Sequence, residues 1–152
     1  MFNRENSGIM RTLMTVILMT FATGGFSQSI VGKWKTIDDD TGKAKSVVEI
    51  YKKSDGKYYG KITKLFREPG GDQDPVCSEC DEDDLRHNKK IKSMEIIKEL
   101  EKDGNMYEEG NILDPNNGTV YDCKIWREGN KLKVRGYVAF FYRTQTWYPY
   151  NG

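Results

Sequence analysis

The chain has 152 residues, a length that favours one domain. Charged residues make up 31%, apolar ones 37% and aromatic ones 12%, which excludes a disordered or fibrous chain. With 24 basic against 23 acidic residues no overall basic field attracts nucleic acid, and one histidine, three cysteines and four prolines exclude a zinc-finger array, a disulfide-dense miniprotein and a proline-rich scaffold.

Residues 1–27 read as an export signal. Arg11 precedes an apolar run that includes Leu13, Val16, Ile17, Leu18 and Phe21, and the small residues Gly24, Gly25 and Ser27 close it. The run falls short of the ~20 apolar residues a bilayer-spanning helix needs, so no membrane span is expected in the mature chain. Cleavage after Ser27 or one residue later is expected, which makes the protein periplasmic or secreted. Removing Arg4, Glu5 and Arg11 with the signal leaves equal numbers of acids and bases.

The remainder, 28–152, reads as a string of hairpins. Asp40-Thr41-Gly42 separates 31–37 from 46–52, and Asp55-Gly56 leads into 57–66. Asp103-Gly104 precedes 105–113, Asp114-Pro115-Asn116-Asn117-Gly118 precedes 119–127, and Gly129-Asn130 opens one long segment, 131–143. Asp-Gly and similar pairs accept the positive φ that tight hairpin turns require. Between the turns β-branched and aromatic residues alternate, and Gly60, Gly110 and Gly136 fall inside strand patterns, where glycine commonly marks a bend. Seven or eight strands joined this way remove their exposed edges best by closing into an up-and-down barrel, with a β-sandwich as the second choice. A barrel of about eight strands is filled by side chains or admits one small ligand.

Two stretches break the pattern. Residues 67–90 are acidic and rich in turn formers, which predicts a long surface loop. In 91–100, Ile91, Met94, Ile97 and Leu100 have helical spacing, yet Met94-Glu95-Ile96-Ile97 suits a strand; a short helix or turn leading into a strand is expected.

The cysteines admit three arrangements: a local Cys77–Cys80 disulfide, a redox pair, or a metal site completed by His87 and Cys123. A redox Cys-x-x-Cys would open a helix in a βαβ setting, which is absent, and Cys123 alternates with Tyr121 and Ile125 as an inward-facing residue would. An oxidising compartment favours the disulfide. The acidic runs 79–84 and 38–40 lack the ligand spacing of a calcium loop and read as solvated surface. His87 lies in a polar stretch and is expected to be exposed. No nucleophile elbow, phosphate-cradling glycine loop or His-Glu-x-x-His motif occurs, so no enzyme activity, metal or cofactor is expected.

Several short motifs occur together. They are Gly32-Lys33-Trp34, Asp38-Asp39-Asp40-Thr41-Gly42, Tyr59-Gly60-Lys61-Ile62 and Cys77-x-x-Cys80, then Leu113-Asp114-Pro115-x-x-Gly118-x-x-Tyr121, Leu132–Tyr137 and Arg143–Trp147. In that order they resemble the small exported bacterial proteins grouped as domain of unknown function 2147. The resemblance implies a lipocalin-like barrel and no particular activity; the ending after Trp147 departs from the pattern. In such a barrel Trp34 would close the bottom under an arginine from the last strands, for which Arg143 is the first choice and Arg135 the second.

The strand aromatics Tyr51, Tyr59, Trp126, Tyr137 and Phe140 are the candidate ligand-binding residues, although a register slip of one residue inverts every such assignment. The expected function is binding of a small apolar or amphipathic molecule. The alternative is an envelope interaction module with a filled core that docks a protein partner through loop 67–90.

Overall fold

The computed structural model describes residues 28–152, and the export signal expected over residues 1–27 lies outside them. Eight antiparallel strands follow in chain order: β1 (Gly32–Ile37), β2 (Ala44–Lys52), β3 (Tyr58–Leu65), β4 (Glu95–Asp103), β5 (Met106–Asp114), β6 (Thr119–Glu128), β7 (Lys131–Val138) and β8 (Phe141–Pro149). Each strand pairs with its sequence neighbours and β8 returns to β1, which makes a closed up-and-down barrel. Alternation then decides what faces inward, because successive side chains of a strand point to opposite sides.

The long segment 131–143 corrects to two strands. Ala139 and Phe140 form a two-residue turn between β7 and β8, with Ala139 at φ 50°. The usual glycine or asparagine signal is missing at this turn, so the pattern reads straight through it. Residues 91–94 form a turn and β4 begins at Glu95. Glu99 and Glu109, both at φ 62°, fall where the register of β4 against β3 and that of β5 against β6 shift, and form bulges there. Gly110 follows the second bulge, and a Cβ there would lie 2.4 Å from the Lys98 carbonyl oxygen, so only glycine lets β5 approach β4 this closely.

One end of the barrel is sealed. Chain segment 28–31 crosses it, and Trp34 Nε1 donates to the Ile30 carbonyl at 2.8 Å. Ile30, Ile50, Leu100 and Leu132 are completely buried around this tryptophan, and Tyr58 meets Tyr107 edge-on with ring centres 4.8 Å apart. The guanidinium over Trp34 belongs to Arg127, 4.8 Å from the ring centre, and it also donates to the carbonyls of Ser29 and Gly129. This corrects the expected Trp34–Arg143 pair and its reserve, Arg135. Trp34 pairs with Pro149, six residues beyond Arg143, so about 20 Å of strand separates the two side chains. Arg135 faces outward.

Arg127→Ala should therefore lower the melting temperature by several degrees, the equivalent of about 2 kcal/mol, because it removes a shielded cation–π contact and the hydrogen bonds that hold the crossing segment. Arg143→Ala should change it by less than half as much. Thermal unfolding followed by circular dichroism compares the two variants.

Candidate functional site

The opposite end of the barrel is hollow. A cavity of about 390 Å³ occupies its upper half, bounded by inward-facing Ile62, Val134 and Trp147 and by the turn residues at the mouth. A Thr36–Ser46 pair lies on its wall, both residues buried, their hydroxyl oxygens 2.8 Å apart. Hydroxyls bonded to one another present a polar but already satisfied surface. Gln145 and Trp147, neighbours on the same face of β8, carry polarity toward the rim. Trp147 Nε1 donates to Gln145 Oε1 at 3.2 Å, and Gln145 Nε2 donates to Asp39 at 2.6 Å. Asp39 also pairs with Arg143 at 2.8 Å. Arg143, expected at the sealed end, thus belongs to the open mouth and ties β8 to the β1–β2 turn.

The five candidate ligand aromatics do not line this cavity. Tyr51 and Tyr59 are cross-strand partners on the outer face, with ring centres 6.5 Å apart. Lys53 Nζ lies 3.7 Å from the Tyr59 ring centre and pairs with Glu95, which accepts the Tyr51 hydroxyl at 2.6 Å. The hydrogen bond to Asp55 pushes the Tyr59 phenol up to about 12, while burial and then Glu95 raise the Tyr51 phenol well above its ordinary range. Trp126 and Tyr142 flank the Arg135 guanidinium on the outside of β6–β8, and Tyr137 packs beside Tyr142. Phe140 stands at the β7–β8 turn and is fully exposed. The reason is register: the inward positions on these strands are Ile50, Gly60, Ile125 and Gly136, which places Tyr51, Tyr59, Trp126 and Tyr137 outside. Of the lining residues that sequence reasoning passed over, Thr36 and Ser46 belong to no motif and Gln145 lies inside the Arg143–Trp147 motif, and the inward place of all three becomes legible only through that register.

The segment between β3 and β4 is more than a surface loop. Val76 bridges to Lys90, and the Cys77 and Asn88 backbones bond across, so residues 75–77 and 88–91 form a small knot. Cys77 and Cys80 sit at disulfide distance within it, their Sγ atoms 2.06 Å apart, and both are buried with Ile91 against the barrel. His87 is half-buried rather than exposed, with Nδ1 2.6 Å from the Cys80 carbonyl oxygen. The knot meets the β5–β6 turn so closely that a Cβ on Gly118, already at φ 72°, would fall 1.7 Å from the Glu79 carbonyl oxygen. That turn forms part of the cavity mouth through Pro115, Asn116 and Asn117. Arg86 secures the far side. It donates to the Glu95 carbonyl and pairs with Asp84 at 2.6 Å, which holds the Asp84 carboxyl down at about 2. Cys123 faces inward and is buried, and desolvation pushes its thiol up to about 12. Among the described residues no three or more of His, Cys, Asp and Glu gather as a metal-binding group. No described helix is long and apolar enough to cross a membrane.

The family model of domain of unknown function 2147, described as uncharacterized protein conserved in bacteria, matches residues 32–148. Among solved structures, the barrel is similar to protein HP1028 from the human pathogen Helicobacter pylori, described as belonging to the lipocalin family. The two share 20% identity over 81% of this chain and 84% of that one, with a TM-score of 0.67. At that identity the likeness is one of fold. No curated protein matches the chain.

Two outcomes follow from the knot. Intact-mass analysis after alkylation should show no modification of the native protein, one thiol after denaturation and three after denaturation with reduction, because Cys123 is both buried and protonated. Asp84 is held below its unfolded value near 4, so its ion pair stabilises the fold above pH ~4 and that contribution fades as pH falls toward 2. Asp84→Asn should flatten the acid side of a melting-temperature profile between those limits while lowering stability at pH 7.

Proposed function

We propose, from the premise that the chain belongs to the bacterial family of domain of unknown function 2147, that its lipocalin-like barrel binds one small apolar or amphipathic molecule in the open end. The observation that carries this reading is the cavity itself. A volume of about 390 Å³ falls in the ordinary size range of small-molecule sites, and its wall is apolar with a few convergent polar groups. A filled-core interaction module would place side chains in that space. Loop 67–90, which the alternative reading assigns to a partner, instead makes its contacts with the barrel through buried Cys77 and Cys80 and through Arg86.

The reading is of a binding protein rather than an enzyme. The two wall hydroxyls satisfy each other, and the sole histidine is committed to the knot outside the barrel. It is also of an exported protein, acting in the periplasm or outside the cell. The apolar run before Gln28 and the Cys77–Cys80 pairing both suit an oxidising compartment.

The neutral fluorophore N-phenyl-1-naphthylamine should bind saturably, one per chain, with enhanced emission. Ile112→Trp, which adds bulk at a half-buried position on the cavity wall, should weaken that binding at least tenfold while leaving the far-ultraviolet circular dichroism unchanged. Absence of saturable binding to the unmodified protein would sink the proposal.

A further inference from the structure

The β7–β8 turn puts several large apolar side chains into water together. Phe140 is 100% exposed, Phe141 78% and Tyr142 63%, and Val138, which pairs with Phe141 across the hairpin, is exposed as well. The other exposed large apolar side chains among the described residues, Val31, Val76, Leu85, Val120 and Tyr148, stand singly along the chain, as is ordinary for a protein surface.

Neither folding nor turn chemistry accounts for this cluster. No part of the barrel covers Phe140, so its ring adds no packing to the fold. Of the two turn residues only Ala139 has a positive φ, a pattern met best by glycine at the first position and a small polar residue at the second. Ala139 therefore holds a conformation that glycine adopts more easily, and Phe140 exposes a ring where asparagine or serine would be hydrated. Both choices oppose folding and solubility, and such local conflicts gather at functional surfaces.

Size and charge select the partner. A stable protein interface takes about 20–30 residues a side, whereas this convex tip offers only the stretch Val138–Tyr142. A lipid interface sets no such minimum, because each ring that enters it gains in proportion to its own apolar area. No charged residue lies between Arg135 and Arg143. Arg143 is paired with Asp39, and Arg135 lies against the Trp126 and Tyr142 rings and donates to Thr144 Oγ1 at 2.7 Å. The hairpin thus lacks the basic cluster that seeks anionic lipid, and its chemistry fits a zwitterionic surface. Tyr137 and Tyr142, with ring centres 5.9 Å apart, pair one position further from the turn than Val138 and Phe141. Amphipathic rings take that place, beside the apolar layer, at a membrane–water interface.

We infer that the β7–β8 tip docks on a zwitterionic lipid surface, with Phe140 and Phe141 entering the interface and Tyr137 and Tyr142 at headgroup level. Val138 and Phe141 also border the cavity, so the docked barrel holds its mouth toward the lipid. The docking does not depend on the cavity taking a ligand.

Co-sedimentation with phosphatidylcholine vesicles tests this. The unmodified protein should partition onto the vesicles, and adding phosphatidylglycerol should change the partition by less than about twofold. Phe140→Ser/Phe141→Ser should lower it about tenfold with the melting temperature unchanged. Ala139→Gly/Phe140→Asn should also weaken vesicle binding while raising the melting temperature, which separates docking from folding. Leu85→Ser, at an exposed position in the knot, and Ile112→Trp, which fills the cavity, should both sediment as the unmodified protein does. Absence of co-sedimentation, or equal partition of the unmodified and double-serine proteins, would overturn the inference and leave the cavity reading standing. A dimer that the double-serine change dissolves, seen by analytical ultracentrifugation without any vesicle binding, would overturn it too and give the tip to a second copy of the chain.

Discussion

Closure of the sheet is carried by a short seam. β1 and β8 pair through only two positions, Trp34 with Pro149 and Lys35 with Tyr148, and one further backbone bond runs from Tyr150 to Lys33. Every other neighbouring pair of strands has a longer register than this. A seam of so few hydrogen bonds, each worth about 1 kcal/mol net, needs support from side chains at its two ends. At the sealed end Arg127 and Trp34 supply it, with the crossing segment 28–31 locked beneath the ring. At the open end Asp39 joins β8 to the β1–β2 turn through Arg143 and Gln145. The cavity exists because these two fastenings differ: one fills the barrel with rings and aliphatic side chains, while the other draws polar groups to the rim and leaves the middle empty.

The outer face shows a second economy of design. Aromatic rings that would have crowded the interior instead carry cations on their faces, with Lys53 over Tyr59, Lys61 over Tyr51, and Arg135 between Trp126 and Tyr142. Such contacts cover apolar surface with charged groups that stay hydrated, which suits a sheet exposed to water on one side. The knot of residues 75–91 extends the arrangement. It covers part of the barrel wall with Cys77, Cys80 and Ile91 and abuts the β5–β6 turn at Gly118, so it braces one side of the cavity mouth from outside.

Much of the fold was legible residue by residue. The turn pairs Asp55-Gly56, Asp103-Gly104 and Gly129-Asn130 sit between strands as their chemistry demands, and the alternation of Leu132, Val134 and Gly136 marks an inward face. The same alternation misled at Phe140, where Ala139 adopts a left-handed conformation that nothing in its own chemistry announces. The choice of Arg143 for Trp34 failed for a related reason. Both residues lie on inward positions, but height along the barrel depends on where β8 meets β1, and that meeting joins residues more than a hundred positions apart.

The amino-acid sequence by itself determined the strand content, the positions of most turns and the family pattern, because these rest on interactions between residues close along the chain. Which face of each strand turns inward, which arginine reaches Trp34, and which residues line the open mouth were decided only by tertiary structure. The physical cause is the period of the strand. A single bulge or a one-residue shift exchanges inside for outside, and bulges at Glu99 and Glu109 are set by how neighbouring strands pack rather than by what those glutamates are.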